Sequence, residues 1–236
     1  MSGVAWIHRD DDVVAVDKPA GEPVIAARGE PKDACLVRRA EAALGHRLFV
    51  VHRIDRDTSG VVLFARTAAA HRFLSQAFEA CQIAKRYVAY AAGALEPRDG
   101  RIDVPLHAAR RGKSRPSKPG ETGRQAAITD YATERVWRGL WGVASRIALQ
   151  PLTGRHHQIR VHLRARGVPI LFDPLYGKAT RGFSDGVPCE RLALHALSIE
   201  IPLPAGGRHR ILAPLAADLV GLETWLDVHL GTGALP

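Results

Sequence analysis

The chain has 236 residues and a formal net charge of +9, with 33 lysines and arginines against 24 acidic residues. A hydrophobic fraction of 46% and a charged fraction of 24% exclude an intrinsically disordered chain. No apolar run approaches the roughly 18 residues of a membrane span, and residues 1–12 lack the apolar block of a signal peptide. The three cysteines, Cys35, Cys81 and Cys189, fit neither a disulfide framework nor a four-ligand zinc site. These features predict a cytoplasmic protein with reduced thiols.

The basic charge is concentrated in two segments. Residues 110–124 hold six lysines and arginines against a single acid, Glu121, and are interrupted by glycine and proline, which predicts a mobile basic loop. Residues 151–172 carry four arginines and no acid. Two such segments would attract the phosphates of a nucleic acid, or they would be ordinary solvated surfaces. Charge alone leaves both interpretations open.

The spacing of apolar residues predicts the following secondary structure in chain order. The predicted elements are a strand at 13–17, a helix at 35–44, a strand at 60–66, a helix at 68–81, strands at 83–92, 126–137 and 143–149, a helix at 157–166, strands at 192–201 and 208–212, and a final helix entered through Pro214. Strands outnumber helices and do not alternate with them regularly. We therefore predict an α+β fold with a mixed, largely antiparallel central β-sheet and flanking helices.

The segment from His52 to Gly60 carries the densest set of charged side chains and leads into an apolar strand. It contains two carboxylates, Asp55 and Asp57. An aspartate beside arginines has a lowered pKa and stays ionised, which suits a carboxylate base or nucleophile. The alternative is a structural turn in which Asp57 or Ser59 caps backbone amides.

A second segment, from Leu152 to His162, concentrates hydrogen-bond donors without any acid. On a helix, His156 lies one turn from Arg160, and Gln158 lies one turn from His162, so one face suits an anionic group. A zinc site is not predicted, because adjacent histidines do not share a helical face and nearby arginines repel a cation.

A third segment, at residues 84–90, places Tyr87 and Tyr90 on opposite faces of a predicted strand beside Lys85 and Arg86. A tyrosine on a basic strand can stack on an unpaired nucleobase, as in readers of single-stranded RNA. The alternative is an ordinary core or edge tyrosine.

Five stretches within residues 12–202 carry a family resemblance. They are Asp17-Lys18-Pro19-Ala20-Gly21, His52-Arg53-Ile54-Asp55 continued by Thr58-Ser59-Gly60, Lys85-Arg86-Tyr87, Thr153-Gly154-Arg155 with His157-Gln158-Ile159-Arg160-Val161-His162, and Arg191-Leu192-Ala193-Leu194-His195-Ala196. In this order they resemble the RluA-type pseudouridine synthases, which isomerise uridine in tRNA or ribosomal RNA. The pairing of the second stretch with the fourth is highly specific to that family.

The resemblance implies a fold with a central RNA-binding cleft and a set of site residues. Asp55 matches the catalytic aspartate, and Tyr87 matches the tyrosine that packs on the target uracil and helps with its C5 proton. Arg160 matches the basic residue that pairs with the aspartate, and Arg53 matches an arginine that fills the space left by the flipped base. The substrate-binding residues implied are His52, Arg53, Thr58, Arg155 and His157.

The resemblance further implies a single catalytic domain over residues 1–236, without an added N-terminal RNA-binding module, because the first matching segment begins by residue 12. The expected partner is RNA, either tRNA or ribosomal RNA, bound by a monomer that needs no cofactor or metal and contacts no membrane. The alternative is a catalytically inactive RNA-binding relative. Two departures from the family pattern bear on RNA preference: His156 replaces a small Thr or Ser, and Phe172 replaces the Gly before Asp173.

Overall fold

The computed structural model describes residues 3–27, 29–31, 33–109, 112–140, 142–177 and 186–231. Within them the helices are α1 (Leu36–Leu44), α2 (Ala68–Glu79), α3 (Gln158–Ala165) and α4 (Ala217–His229). The strands are β1 (Trp6–Arg9), β2 (Val13–Lys18), β3 (Phe49–Val50), β4 (Ser59–Ala65), β5 (Ala84–Ala92), β6 (Asp99–Asp103), β7 (Leu106–Ala109), β8 (Lys113–Pro116), β9 (Ile128–Gly139), β10 (Gly142–Pro151), β11 (Leu194–Pro202) and β12 (Arg208–Leu212). The chain forms two compact units.

The first unit comprises Met1–Lys85 and His195–Leu215. Its strands follow the order β1-β2-β4-β11, with β3 paired to β4 and β12 paired to β11. All of these pairs are antiparallel except β4 with β11, which is parallel. Every residue of β4 is buried, in agreement with the apolar run at its residues 61–65. Helix α1 buries the face formed by Leu36, Val37 and Ala40. Its C-cap is Gly45, which has a left-handed backbone with a φ of 75°.

The second unit comprises Arg86–Leu194 and Ala216–Pro236. Strands β5, β10, β9 and β6 form an antiparallel sheet in that order, and β7 and β8 form a separate hairpin. The acidic side chains of helix α4 bind to the sheet. Glu223 accepts a hydrogen bond from Arg146 of β10, and Asp227 accepts one from the indole N–H of Trp137 in β9 at 2.6 Å. The α+β class and the mixed, largely antiparallel strand pairing predicted from sequence are confirmed.

The prediction of a loop throughout residues 110–124 is wrong at Lys113–Pro116, which is strand β8. The strand forms because Ser114 pairs with Ala108 in β7 and its N–H donates to the hydroxyl of Tyr176 at 2.8 Å. Arg110 and Arg111 lie outside the described residues. The other predicted helices and strands are present with boundaries shifted by a few residues. The single domain over residues 1–236 stays a prediction.

Among the described residues, no helix combines the length and the apolar character needed to cross a membrane.

Candidate active site

Asp55 lies in the first unit, on an irregular loop at residues 51–58 that leads into β4. Its side chain is half-buried, and its carbonyl accepts a hydrogen bond from the N–H of Thr58 at 3.2 Å. Ile54 and Thr58 are buried on either side, whereas Arg53 is exposed. The loop is therefore anchored around Asp55 while Arg53 faces solvent.

A buried lysine braces the same loop. The ammonium of Lys18 donates to the carbonyls of Pro19, Glu22 and Arg56, each at 2.8 Å. The Arg56 carbonyl belongs to the residue that follows Asp55. The three carbonyls around one ammonium fix the backbone next to Asp55, because moving it would leave a buried ammonium under-bonded.

The Thr58-Ser59-Gly60 stretch joins β4 to β11. The Ser59 hydroxyl lies 2.9 Å from Nδ1 of His195, and both residues are buried. Gly60 has a φ of 111°, and a Cβ at this position would lie 2.2 Å from the carbonyl oxygen of Ala196. Only glycine permits this approach, so two of the five family-like stretches meet through backbone contact.

His52 has a structural contact. Its Nε2 accepts the N–H of Leu63 at 2.9 Å, and its ring stacks on Phe78 with centroids 5.1 Å apart. Burial lowers the pKa of His52 to about 3, and the charge of Lys85 contributes in the same direction. His52 is thus neutral at neutral pH, with its proton on Nδ1. Its assignment to substrate binding stays a prediction.

We expect the free energy of unfolding to fall as the pH decreases from 6.5 towards about 3, because unfolded His52 binds a proton that the folded protein excludes. His52→Gln keeps an acceptor for the Leu63 N–H but does not titrate. The variant should therefore lose less stability in this window, by up to about 1.4 kcal/mol per pH unit. Denaturant titrations across the window measure the difference, and equal pH slopes for the two proteins would contradict it.

The two tyrosines of β5 have different environments in the second unit. Tyr90 is buried, and its hydroxyl donates to Glu223 at 2.7 Å. Burial, followed by the hydrogen bond to Glu223, raises the pKa of Tyr90. Tyr87 is half-buried and pairs with Leu149 of β10. Tyr90 is therefore a core residue, and the contact of Tyr87 with uracil stays a prediction.

Gln158, in the first turn of α3, fastens the Thr-Gly-Arg loop to β9. Its Oε1 accepts from the Thr153 hydroxyl at 2.7 Å and from the Arg155 N–H at 3.0 Å. Its Nε2 donates to the carbonyl of Ile128 at 2.9 Å and to the hydroxyl oxygen of Thr129 at 3.0 Å. The loop that carries Arg155 is held by a buried amide.

His162 extends this network. Its Nε2 lies 3.0 Å from the carbonyl of Val104, which can only accept, so Nε2 carries the proton. Its Nδ1 then accepts from the Thr129 hydroxyl at 3.0 Å, and Thr129 in turn accepts from Gln158. Burial lowers the pKa of His162, in agreement with this neutral form. His162 is a structural residue rather than an anion-binding one.

Arg160 forms a buried, bidentate ion pair with Asp173. Nε lies 2.8 Å from Oδ2 and Nη2 lies 2.8 Å from Oδ1, and the two side chains are 3% and 1% exposed. Asp173 Oδ1 also accepts the N–H groups of Leu175 and Tyr176, at 2.9 and 3.0 Å. Asp173 was not predicted as a partner of Arg160. A usable signal was present, since Asp173 is the first acid after the acid-free residues 151–172.

The residues around α3 include two non-glycine residues with left-handed backbone. Phe172, which stands where the family pattern has glycine, has a φ of 58°. His157, directly before α3, has a φ of 56°. Glycine adopts this region without strain, so Phe172 adopts it at a steric cost.

A cluster of side chains fastens the β7–β8 hairpin to the start of α3. The Tyr176 hydroxyl donates to the carbonyl of Ser114 at 3.1 Å and lies 3.0 Å from Nδ1 of His157. Because the hydroxyl has only one proton, His157 Nδ1 is the donor in the second contact. The Ser114 hydroxyl lies 3.2 Å from Nδ1 of His156.

The hairpin's positive charge is partly compensated by Glu121. This carboxylate forms an ion pair with Arg115 and accepts the N–H of Lys118 at 2.9 Å. Arg115, followed by the Lys118 N–H, lowers the pKa of Glu121 to about 2. In the part of the chain that the structure describes, no three His, Cys, Asp or Glu side chains are grouped to hold a metal.

The family model described as RNA pseudouridylate synthase matches residues 12–165, more than half of the chain. The chain belongs to this family. It is similar to the ribosomal large subunit pseudouridine synthase D of Xanthomonas campestris pv. campestris, with 36% identity over 93% of this chain and 68% of that protein. It is also similar to the dual-specificity RNA pseudouridine synthase RluA of Escherichia coli K12, with 34% identity over 85% of this chain and 88% of that protein.

The fold supports the same assignment. The solved structure of human RNA pseudouridylate synthase domain containing 4 is similar with a TM-score of 0.75 and 26% identity, over 94% of this chain and 92% of that one. This pseudouridine synthase is of the RluA type, an RNA isomerase. The family match includes Asp55 in the first unit and Tyr87 and Arg160 in the second, whereas Asp173 lies beyond it.

Proposed function

We propose that this RNA pseudouridine synthase uses Asp55 as its catalytic carboxylate on a uridine flipped out of the RNA. The observation that carries the proposal is the construction of the Asp55 loop. Its backbone is braced by the buried ammonium of Lys18 on the Arg56 carbonyl, and it enters β4 through the Gly60 contact. A reacting carboxylate needs such a fixed support, because small misplacements of a catalytic group reduce rates strongly.

The reaction breaks the bond from ribose C1′ to uracil N1, rotates the base and joins C1′ to C5. It involves no net redox change, and we propose that no cofactor or metal takes part. The uridine must leave its stack, at a cost of about a few kcal/mol. In this proposal Tyr87 packs on the uracil, and Arg160 supplies the positive charge that accompanies the aspartate. The ion pair with Asp173 fixes the guanidinium plane of Arg160.

The substrate proposed is tRNA or ribosomal RNA, bound by a monomer in the cytoplasm. The name of one relative, a ribosomal large subunit enzyme, supports ribosomal RNA, and the name of the other, a dual-specificity RNA enzyme, supports more than one RNA substrate. Exposed cations on the second unit, including Lys113 and Arg155, would contact phosphates. His52, Arg53, Thr58 and His157 complete the proposed substrate-binding set.

Pseudouridine mapping tests the proposed function in the cell. We expect a strain lacking the gene to lose pseudouridine at one or more positions of tRNA or ribosomal RNA. The wild-type gene should restore those positions, and the Asp55→Asn gene should not. Unchanged pseudouridine maps in both RNA classes, or full restoration by Asp55→Asn, would contradict the proposal.

Glu121 is expected to weaken RNA binding, because its ion pair with Arg115 compensates the positive charge of that side chain. In Glu121→Gln the negative charge is removed, so Arg115 can neutralise a phosphate. The slope of log affinity against log salt concentration should become steeper by about 0.7 for single-stranded RNA. Glu200→Gln is the matched control, because Glu200 forms an exposed ion pair with Arg208 in β12. Equal salt slopes for the two variants would show that the Arg115 side chain does not contact the RNA.

A further inference from the structure

His156 is one of the two residues at which this chain departs from the family pattern, which has a small Thr or Ser there. Its ring is exposed and stacks on the ring of His157, with centroids 3.7 Å apart and an interplanar angle of 25°. Its Nδ1 lies 3.2 Å from the hydroxyl of Ser114 in β8. The ring is thus supported on one face and held at one edge, while part of its surface is open to solvent.

The His157 ring, on which His156 stacks, is itself held in place by Tyr176. His157 contacts the Tyr176 hydroxyl at 3.0 Å, and its ring meets the Tyr176 ring edge-on with centroids 5.6 Å apart. Tyr176 is buried and is bonded twice to the backbone of Ser114, at 2.8 and 3.1 Å. A ring already ordered in the free protein loses little conformational entropy when it binds a ligand.

The charge around the ring favours a polyanion. Arg155, next in sequence, is exposed, and so is Lys113, next to Ser114 in the hairpin. Aromatic rings that alternate with cations are the arrangement by which proteins bind single-stranded nucleic acids, with bases stacked on the rings and phosphates near the cations.

We propose that His156 is a stacking platform for an unpaired nucleobase of the substrate RNA, distinct from the target uridine. This inference rests on the proposed function for the identity of the ligand as RNA. The exposed imidazole of His156 contacts the base on one face and packs on His157 with the other. Tyr176 holds His157 in place. Arg155 and Lys113 contact the flanking phosphates. His156 then contributes to the choice of RNA rather than to the chemical step.

Binding of two synthetic oligomers tests the platform independently of catalysis. One probe is a short oligoadenylate, and the other is an abasic ribose-phosphate oligomer of equal length and charge. For His156→Ala we expect the affinity for oligoadenylate to fall about ten-fold, with little change for the abasic oligomer, because only the base stacking is lost. His156→Phe keeps a stacking ring and should bind oligoadenylate within about two-fold of the wild type.

His229→Ala is the matched control. His229 is also an exposed histidine stacked on an aromatic ring, that of Trp225, with centroids 4.3 Å apart, but it lies at the end of α4. It should leave both affinities unchanged. Unchanged oligoadenylate binding by His156→Ala, equal losses for both oligomers, or a loss in His156→Phe as large as in His156→Ala would each overturn the proposal. A wild type that binds through His156 yet forms no pseudouridine would refute the proposed function alone.

Discussion

Asp55→Asn is expected to reduce pseudouridine formation below detection while RNA binding is retained or becomes tighter. The substitution keeps the size of the side chain and removes the negative charge that acts on the sugar or base. The RNA is a polyanion, so the loss of one repelling charge does not weaken its binding. Product yield and RNA affinity, measured at one salt concentration, separate the two effects.

Asp57→Asn is the matched control, with the same chemical change two residues away. We interpret Asp57 as a residue of the turn, where an asparagine oxygen can also accept from a backbone amide. This variant should keep its activity and lose at most about 1 kcal/mol of stability. An inactive Asp57→Asn together with an active Asp55→Asn would show that the catalytic assignment is wrong.

Asp173→Asn is expected to destabilise the fold more than Asp55→Asn, Asp57→Asn or Asp130→Asn. It removes the charge that faces the buried guanidinium of Arg160, whose side chain is 3% exposed. Removing one partner of a buried ion pair costs about 3–5 kcal/mol. The Asn oxygen still accepts from the N–H groups of Leu175 and Tyr176, so the loss reports mainly on the charge.

Asp130→Asn provides the comparison at the surface. Asp130 also forms a bidentate pair, with Arg101, but the side chains of Arg101 and Asp130 are 56% and 36% exposed. Its loss should cost less than about 1 kcal/mol. Denaturant unfolding of both variants measures the difference. Similar small losses in both would show that the Arg160 pair contributes no more than a surface pair.

The sequence predicted the elements whose apolar spacing is unambiguous and whose ends carry clear signals. Helix α1 has apolar residues at helical spacing and Gly45 as its C-cap, and both are present. Residues 157–166 alternate like a strand as well as a helix, and the structure shows a helix at Gln158–Ala165. Length and the following Gly167 decided that prediction correctly.

The sequence could not predict the roles of polar residues that are bonded across long separations. The sequence predicted Gln158 and His162 as donors for an anionic ligand. Both are buried instead: Gln158 is bonded to β9, and His162 is bonded to β9 and to Val104. The pairing of Arg160 with Asp173 depends on the turn after α3, which local periodicity does not specify. Strand β8 was missed because its contact with Tyr176 joins residues 62 positions apart.

Conversion of uridine in purified RNA tests the central claim most directly. Unmodified tRNA and ribosomal RNA transcripts are incubated with the wild-type protein in excess chelator, and the nucleosides are then separated and quantified. We expect pseudouridine to appear at the expense of uridine without a change in mass, and Asp55→Asn to form none. A wild type that leaves uridine unchanged in both RNA classes, or an Asp55→Asn variant as active as the wild type, would contradict the account.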